Sequence, residues 1–124
     1  MRKLLIVEDN LTMQKILEHY FNNDFQVILK NNGKEAITWM NGNRPDIIIA
    51  DIQMPVMNGF DFIQLVKSKE ESKNIPLLVL SYLDDKESKK KCLDAGADDY
   101  LIKPFSPAKL ASTINDLLEP KQIG

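Results

Sequence analysis

The sequence predicts an α/β domain: a parallel β-sheet with helices packed on both faces. Three observations carry this. Short apolar runs recur five times along 124 residues, and most are unbroken by polar residues. Continuous rather than alternating hydrophobicity marks strands buried on both faces, as in a parallel sheet. Between the runs lie stretches with helical spacing of apolar residues. The result is five strands alternating with five helices, which right-handed crossovers wind into one sheet covered on both sides.

The elements follow in order. Leu4, Leu5, Ile6 and Val7 form a first strand over Lys3–Val7, which stops at Glu8-Asp9-Asn10. Met13, Ile16, Leu17, Tyr20 and Phe21 then keep the i, i+3, i+4 spacing of an amphipathic helix, with Asn10 as its N-cap and His19 off the stripe at the surface. Phe25–Leu29 reads as the second strand. Gly33 opens a helix with Ala36, Ile37 and Met40 on one face and a packed Trp39 beside it, closed near Asn41-Gly42. Ile47–Ala50 is the central strand and ends at Asp51. Met54-Pro55 and Asn58-Gly59 impose a loop, because Pro lacks a donor and Gly tolerates positive φ. Gly59 begins a helix burying Phe62, Ile63 and Val66, and Lys67–Lys73 reads as a solvated helix end and loop. Pro76–Leu80 is the fourth strand, ending at Ser81. Asp84 with Glu87 resembles a capping box for a helix running through Lys89-Lys90-Lys91 to Gly96. Asp99–Ile102 is the last strand and delivers Lys103-Pro104. Ser106 and Pro107 suit N-cap and N1 of a final helix with Leu110, Ala111, Ile114, Leu117 and Leu118 on its buried face. The core is expected over about 3–118, with 119–124 as a flexible tail.

Length and composition bound the function. The chain supports one domain and not two. Apolar content of 44%, charged content of 27% and a net charge of −2 are ordinary for a soluble protein, and nothing global points to nucleic acid or a membrane surface. A lone cysteine, Cys92, excludes an intrachain disulfide and a cysteine-built zinc cluster; a packed thiol is expected. No apolar run approaches a membrane helix, and Met1-Arg2-Lys3 enters the first strand without a signal-peptide pattern, so none is expected. A cytoplasmic location is expected.

The chemistry gathers at the carboxyl ends of the strands, where open parallel sheets place their sites. Glu8 and Asp9 follow the first strand, Asp51 the third, Ser81 the fourth and Lys103 the fifth. In a parallel sheet these ends lie on one side. Clustered carboxylates repel unless a cation intervenes, and Mg²⁺ suits one or two carboxylates with waters and phosphate oxygens. Lys103 offers a compact positive charge to a phosphoryl oxygen and Ser81 a hydroxyl. Asp51 is then available as a nucleophile, since aspartate forms acyl phosphates. This set fits phosphoryl transfer.

These residues resemble the receiver domains of bacterial response regulators. Glu8-Asp9 matches that family's acidic pair, and Asp51 with Met54-Pro55 and Gly59 matches its D-x-x-M-P-x-x-x-G phosphoacceptor loop. Ser81 matches the Ser/Thr position, Tyr100 the switch aromatic, and Lys103-Pro104-Phe105 the K-P-F signature. The match covers about residues 3 to 118. The resemblance implies a doubly wound five-stranded sheet of order 2-1-3-4-5, a cis Lys103-Pro104 peptide, phosphorylation of Asp51, and Mg²⁺ held by Asp9, Asp51, the Gln53 backbone carbonyl and, through water, the longer Glu8. It implies Ser81 and Lys103 as phosphoryl-binding groups and Ser81 with Tyr100 as the switch, signalling through the Asp84–Leu118 face. The expected donor is a sensor histidine kinase or phosphotransfer protein. The expected downstream partner is another protein or an output domain outside this sequence. Gln53 and Leu83 occupy the family's variable positions that tune phosphoryl lifetime. The protein is expected to be a switch rather than an enzyme acting on a separate substrate. A haloacid-dehalogenase-type phosphatase needs a second Asp two residues after the nucleophile, where Gln53 stands. A flavodoxin-like nucleotide site needs a phosphate loop where Glu8-Asp9-Asn10 stands.

Overall fold

The computed structural model describes residues 1–119. Beyond Glu119, the expected tail lies outside the described residues. Five strands, β1 (Lys3–Val7), β2 (Gln26–Lys30), β3 (Ile47–Asp51), β4 (Leu77–Ser81) and β5 (Asp99–Ile102), alternate with α1 (Leu11–Phe21), α2 (Gly33–Met40), α3 (Gly59–Ser68), α4 (Lys86–Asp94) and α5 (Pro107–Leu118). All strand pairs are parallel, in the order β2-β1-β3-β4-β5. Strand order reverses beside β1 and β3, so their carboxyl ends flank the crevice where this fold binds ligands.

The unbroken apolar runs are explained by two separate cores. Leu5, Val7, Ile48, Ala50, Leu77 and Val79 pack against Ala36, Phe62, Ile63, Val66 and Cys92 from α2, α3 and α4. The alternate residues Leu4, Ile6, Ile47, Ile49, Leu78 and Leu80 pack against Leu17, Phe21, Leu110 and Ile114 from α1 and α5. Successive strand side chains point to opposite faces, and here both faces are dry. Each helix begins on a side-chain cap: Asn10, Asn32, Asn58, Asp85 and Ser106 accept a hydrogen bond from the N–H three residues on, at 2.7–3.1 Å.

Several expectations need correction. In α1 the buried residues are Gln14, Leu17 and Phe21, whereas Ile16 and Tyr20 are exposed. The inward stripe is Met13, Leu17 and Phe21, spaced by four, which turns Ile16 and Tyr20 onto the outer flank. Asp85, not Asp84, caps α4; its Oδ1 accepts from the Ser88 N–H at 2.7 Å and its Oδ2 from the Ser88 hydroxyl at 3.0 Å. Strands β2 and β4 start and end one residue later than expected.

The Lys67–Lys73 segment is not simply solvated. Lys67 Nζ donates to the Ile75 carbonyl at 2.7 Å, to Asp98 Oδ2 at 2.9 Å and to the Lys73 carbonyl at 3.2 Å. Asp98 Oδ2 also accepts from the Leu77 N–H at 2.8 Å. One ammonium thus ties the end of α3 to the entries of β4 and β5, away from the carboxyl-end crevice. Gly96, at φ +116°, passes so close that a Cβ there would lie 2.7 Å from Lys67 Cγ.

Candidate functional site

The strand ends converge as the parallel sheet requires. Carboxylate oxygens of Glu8, Asp9 and Asp51 lie within 4.8 Å of one another. Lys103 reaches them from the end of β5: its Nζ donates to Asp51 Oδ2 at 2.9 Å and to Glu8 Oε1 at 3.0 Å. Glu8, Asp51 and Lys103 are buried, while Asp9 is exposed. The Lys103–Pro104 peptide is cis. The Tyr82 ring stands 5.1 Å from the same ammonium, within cation–π range.

Local sequence explains how Asp51 is presented. Its Oδ1 accepts from the Gln53 N–H at 2.9 Å, an Asx turn that starts the loop after β3. Met57 N–H donates to the Pro55 carbonyl at 2.8 Å, which closes a tight turn around Val56 at φ +72°. A β-branched residue in that region is strained. The loop returns through Gly59, whose N–H donates to the Ile52 carbonyl at 3.1 Å. Any Cβ there would sit 2.6 Å from Ile52 Cα, so the chain needs glycine to close back on its strand.

The charge balance is uneven. Burial pushes the Glu8 carboxyl up to about 7, against the lowering effect of Lys103 and with a further raise from Asp51. Burial alone would lower Lys103, but its hydrogen bonds to Asp51 and Glu8 outweigh that and raise it above the ordinary lysine value. Among the described residues, Glu8 Oε2 is buried without any hydrogen-bond partner. An unpaired buried carboxylate oxygen beside two further carboxylates, all hard oxygen donors, fits a divalent cation of the Mg²⁺ type.

Ser81 and Tyr100 sit one step away. Ser81 is fully buried, and its Oγ accepts from the Leu83 N–H at 3.0 Å rather than touching the carboxylates. Tyr100 is also buried; its hydroxyl donates to the Leu83 carbonyl at 2.6 Å, and burial raises its pKa. The Tyr100 ring points inward, held by that bond. Sequence reasoning missed Gln14, whose Nε2 donates to the Glu8 carbonyl and to Asn31 Oδ1 at 2.8 Å. Its position three residues before Leu17 on the buried stripe was the available signal.

Comparison with known proteins agrees with this geometry. The family model for the response regulator receiver domain matches residues 4–115. The chain belongs to the response regulator receiver family. Receiver domains are the phosphoacceptors of two-component signalling, and this chain carries that fold and family function. It is 36% identical over 122 residues to the sensor histidine kinase TmoS of Ectopseudomonas mendocina, covering 98% of this chain and 12% of that protein. It is 38% identical over 119 residues to the response regulator SaeR of Staphylococcus aureus, covering 95% of this chain and 51% of that protein. The chain therefore spans about an eighth of the length of the first of these relatives and about half of the second. Among solved structures, the receiver domain of the sensor histidine kinase PA1611 from Pseudomonas aeruginosa PAO1 superposes with a TM-score of 0.87 at 28% identity, over 94% of this chain and 97% of that one; it has a magnesium ion in its active-site cleft. No helix among the described residues of this receiver is long and apolar enough to cross a membrane.

Proposed function

We propose that Asp51 is the phosphoacceptor of this receiver and that phosphorylation there controls a protein partner. The observation that carries this is the single buried ammonium of Lys103 shared by Asp51 and Glu8, beside a three-carboxylate cluster. An Asp51 oxygen attacks phosphorus, and the bond from phosphorus to the donor imidazole nitrogen of a sensor kinase or phosphotransfer protein breaks. That nitrogen keeps the electron pair. Lys103 stays within reach of the reacting carboxylate and neutralises charge on the transferred group. Asp9, Asp51 and the Gln53 carbonyl would hold the metal directly, and Glu8 would act on it through water. Mg²⁺ at this position supplies hard divalent charge against the repulsion between carboxylates and phosphoryl oxygens.

Switching off reverses the loading. A water oxygen attacks phosphorus, the bond to the Asp51 oxygen breaks, and inorganic phosphate leaves with the carboxylate restored. Leu83 brings no carboxylate or amide to orient that water. Ser81 can donate its hydroxyl hydrogen to a phosphoryl oxygen while its Oγ accepts from the Leu83 N–H, so a move of Ser81 toward the phosphoryl group pulls on Leu83, which also holds Tyr100 through its carbonyl. The signal then runs from Ser81 through Leu83 to Tyr100 and the α4–β5–α5 face. The test is chemical: label introduced from a small phosphodonor with Mg²⁺ should be released by hydroxylamine, as an acyl phosphate is. Label resistant to hydroxylamine places the phosphate on another residue type and overturns this reading.

A further inference from the structure

Gln14 is the buried polar side chain among the described residues of α1. A carboxamide in that position is tolerated only when its hydrogen-bonding groups find partners. Its Nε2 gives one hydrogen to the Glu8 carbonyl and the other to Asn31 Oδ1 at 2.8 Å. The two acceptors lie in different loops, Glu8 after β1 and Asn31 after β2. Glu8 is also held from its other side, since its N–H donates to the Lys30 carbonyl at 3.0 Å. Lys30 is the residue before Asn31. The bonds therefore close a small ring through Glu8, Lys30, Asn31 and Gln14. Asn31 N–H donates onward to Glu35 Oε1 at 3.2 Å, which anchors the ring to α2.

The ring restrains the peptide that joins Glu8 to Asp9. Asp9 is exposed, and its carboxylate has no hydrogen-bond partner among the described residues. Its direction toward Asp51 thus depends on the backbone that carries it. We infer that Gln14 is a positioning residue for the divalent-cation site: by locking the Glu8–Asp9 peptide against the loop after β2, it holds the Asp9 carboxylate ready beside Asp51. This rests on the reading that the carboxylate cluster holds Mg²⁺. Groups that orient metal ligands typically change affinity by about 10–100-fold when removed.

The experiment is a set of urea unfolding curves at increasing Mg²⁺ on the whole chain, since binding to the native state alone raises stability with cation concentration. Wild type, Gln14→Met, Asn31→Ala and the control Ile114→Val are compared. Gln14→Met keeps the length and removes both donors. Ile114→Val trims a core side chain under α5, far in sequence from the ring. Gln14→Met and Asn31→Ala should shift the Mg²⁺ dependence to about tenfold higher concentration, whereas Ile114→Val lowers metal-free stability and leaves that dependence in place. If both ring variants lower metal-free stability but keep the wild-type Mg²⁺ dependence, Gln14 is only a core residue and the inference is overturned. If wild type shows no Mg²⁺ dependence, the metal reading fails, and the inference with it. If Gln14→Met does not fold, the exposed Asn31 decides: a wild-type Mg²⁺ dependence in Asn31→Ala overturns the inference.

Discussion

Lys103 and Asp51 form a buried ion pair, Nζ to Oδ2 at 2.9 Å, with side chains 3% and 10% exposed. The same ammonium also pairs with Glu8 at 3.0 Å. Two carboxylates share one cation, so removing Lys103 strands both.

Lys103→Met should therefore destabilise the metal-free domain by about 3 kcal/mol, because breaking a buried pair by removing one partner leaves uncompensated charge. Urea unfolding at pH 8 measures it, where Glu8, raised to about 7, is largely ionised. Adding Glu8→Gln to Lys103→Met should recover part of the loss. Equal stability of Lys103→Met and wild type would show that the pair contributes nothing net.

Chelating divalent metal should leave the domain folded. The two cores on either side of the sheet hold the strands without it. Mg²⁺ at ten times its Kd should add about 1.4 kcal/mol by linkage, and Asp9→Ala should abolish that increment more completely than Glu8→Ala, whose side chain is committed to Lys103. Melting on chelation at room temperature, or the reverse order of the two variants, would contradict this assignment.

Cys92 should resist alkylation in the native state at pH 8. Burial pushes its thiol up from 9.0 to about 11, with a small lowering from Lys91. The folded state holds the proton more tightly than the unfolded state. This contribution to stability is complete below about 9 and is lost as pH rises through about 11. Cys92→Ala should flatten that part of the alkaline stability profile. Rapid native labelling by iodoacetamide at pH 8 would contradict the burial argument.

The candidate site residues were legible because a parallel sheet turns sequence position into spatial position. Asp51, Ser81 and Lys103 each end an apolar run, so the fold itself brings them to one edge. Residues chosen between near-equivalent alternatives were not legible. Helical spacing places Met13, Ile16, Leu17, Tyr20 and Phe21 on one stripe, but only part of that stripe meets the sheet, so Leu17 and Phe21 are buried and Ile16 and Tyr20 are exposed. Asp84 and Asp85 are equally good caps by type, and the Ser88 N–H and hydroxyl select Asp85. Lys67 looked solvated because its acceptors, the Lys73 and Ile75 carbonyls and Asp98, meet only after β4 and β5 pair. The Tyr100 side-chain position depends on a carbonyl at Leu83, a backbone group that no residue type reveals.

The switch prediction follows from that carbonyl. Beryllofluoride with Mg²⁺ should perturb backbone NMR signals from Ser81 across α4, β5 and α5, and leave α2 little changed. Ser81→Ala should weaken this spread while Asp51 still accepts phosphate, because the relay begins at the Ser81 hydroxyl. Tyr100→Phe should cost about 1 kcal/mol from the lost hydrogen bond and uncouple α4 from the mimic. Shifts confined to the loops touching the mimic would show that this face does not carry the signal.

The central claim is that Asp51 alone takes the phosphoryl group. Intact mass measured after incubation with acetyl phosphate and Mg²⁺ tests it most directly, in wild type and in Asp51→Asn side by side. A gain of one phosphate in wild type and none in Asp51→Asn is the predicted result; a gain in Asp51→Asn at the wild-type rate would contradict it.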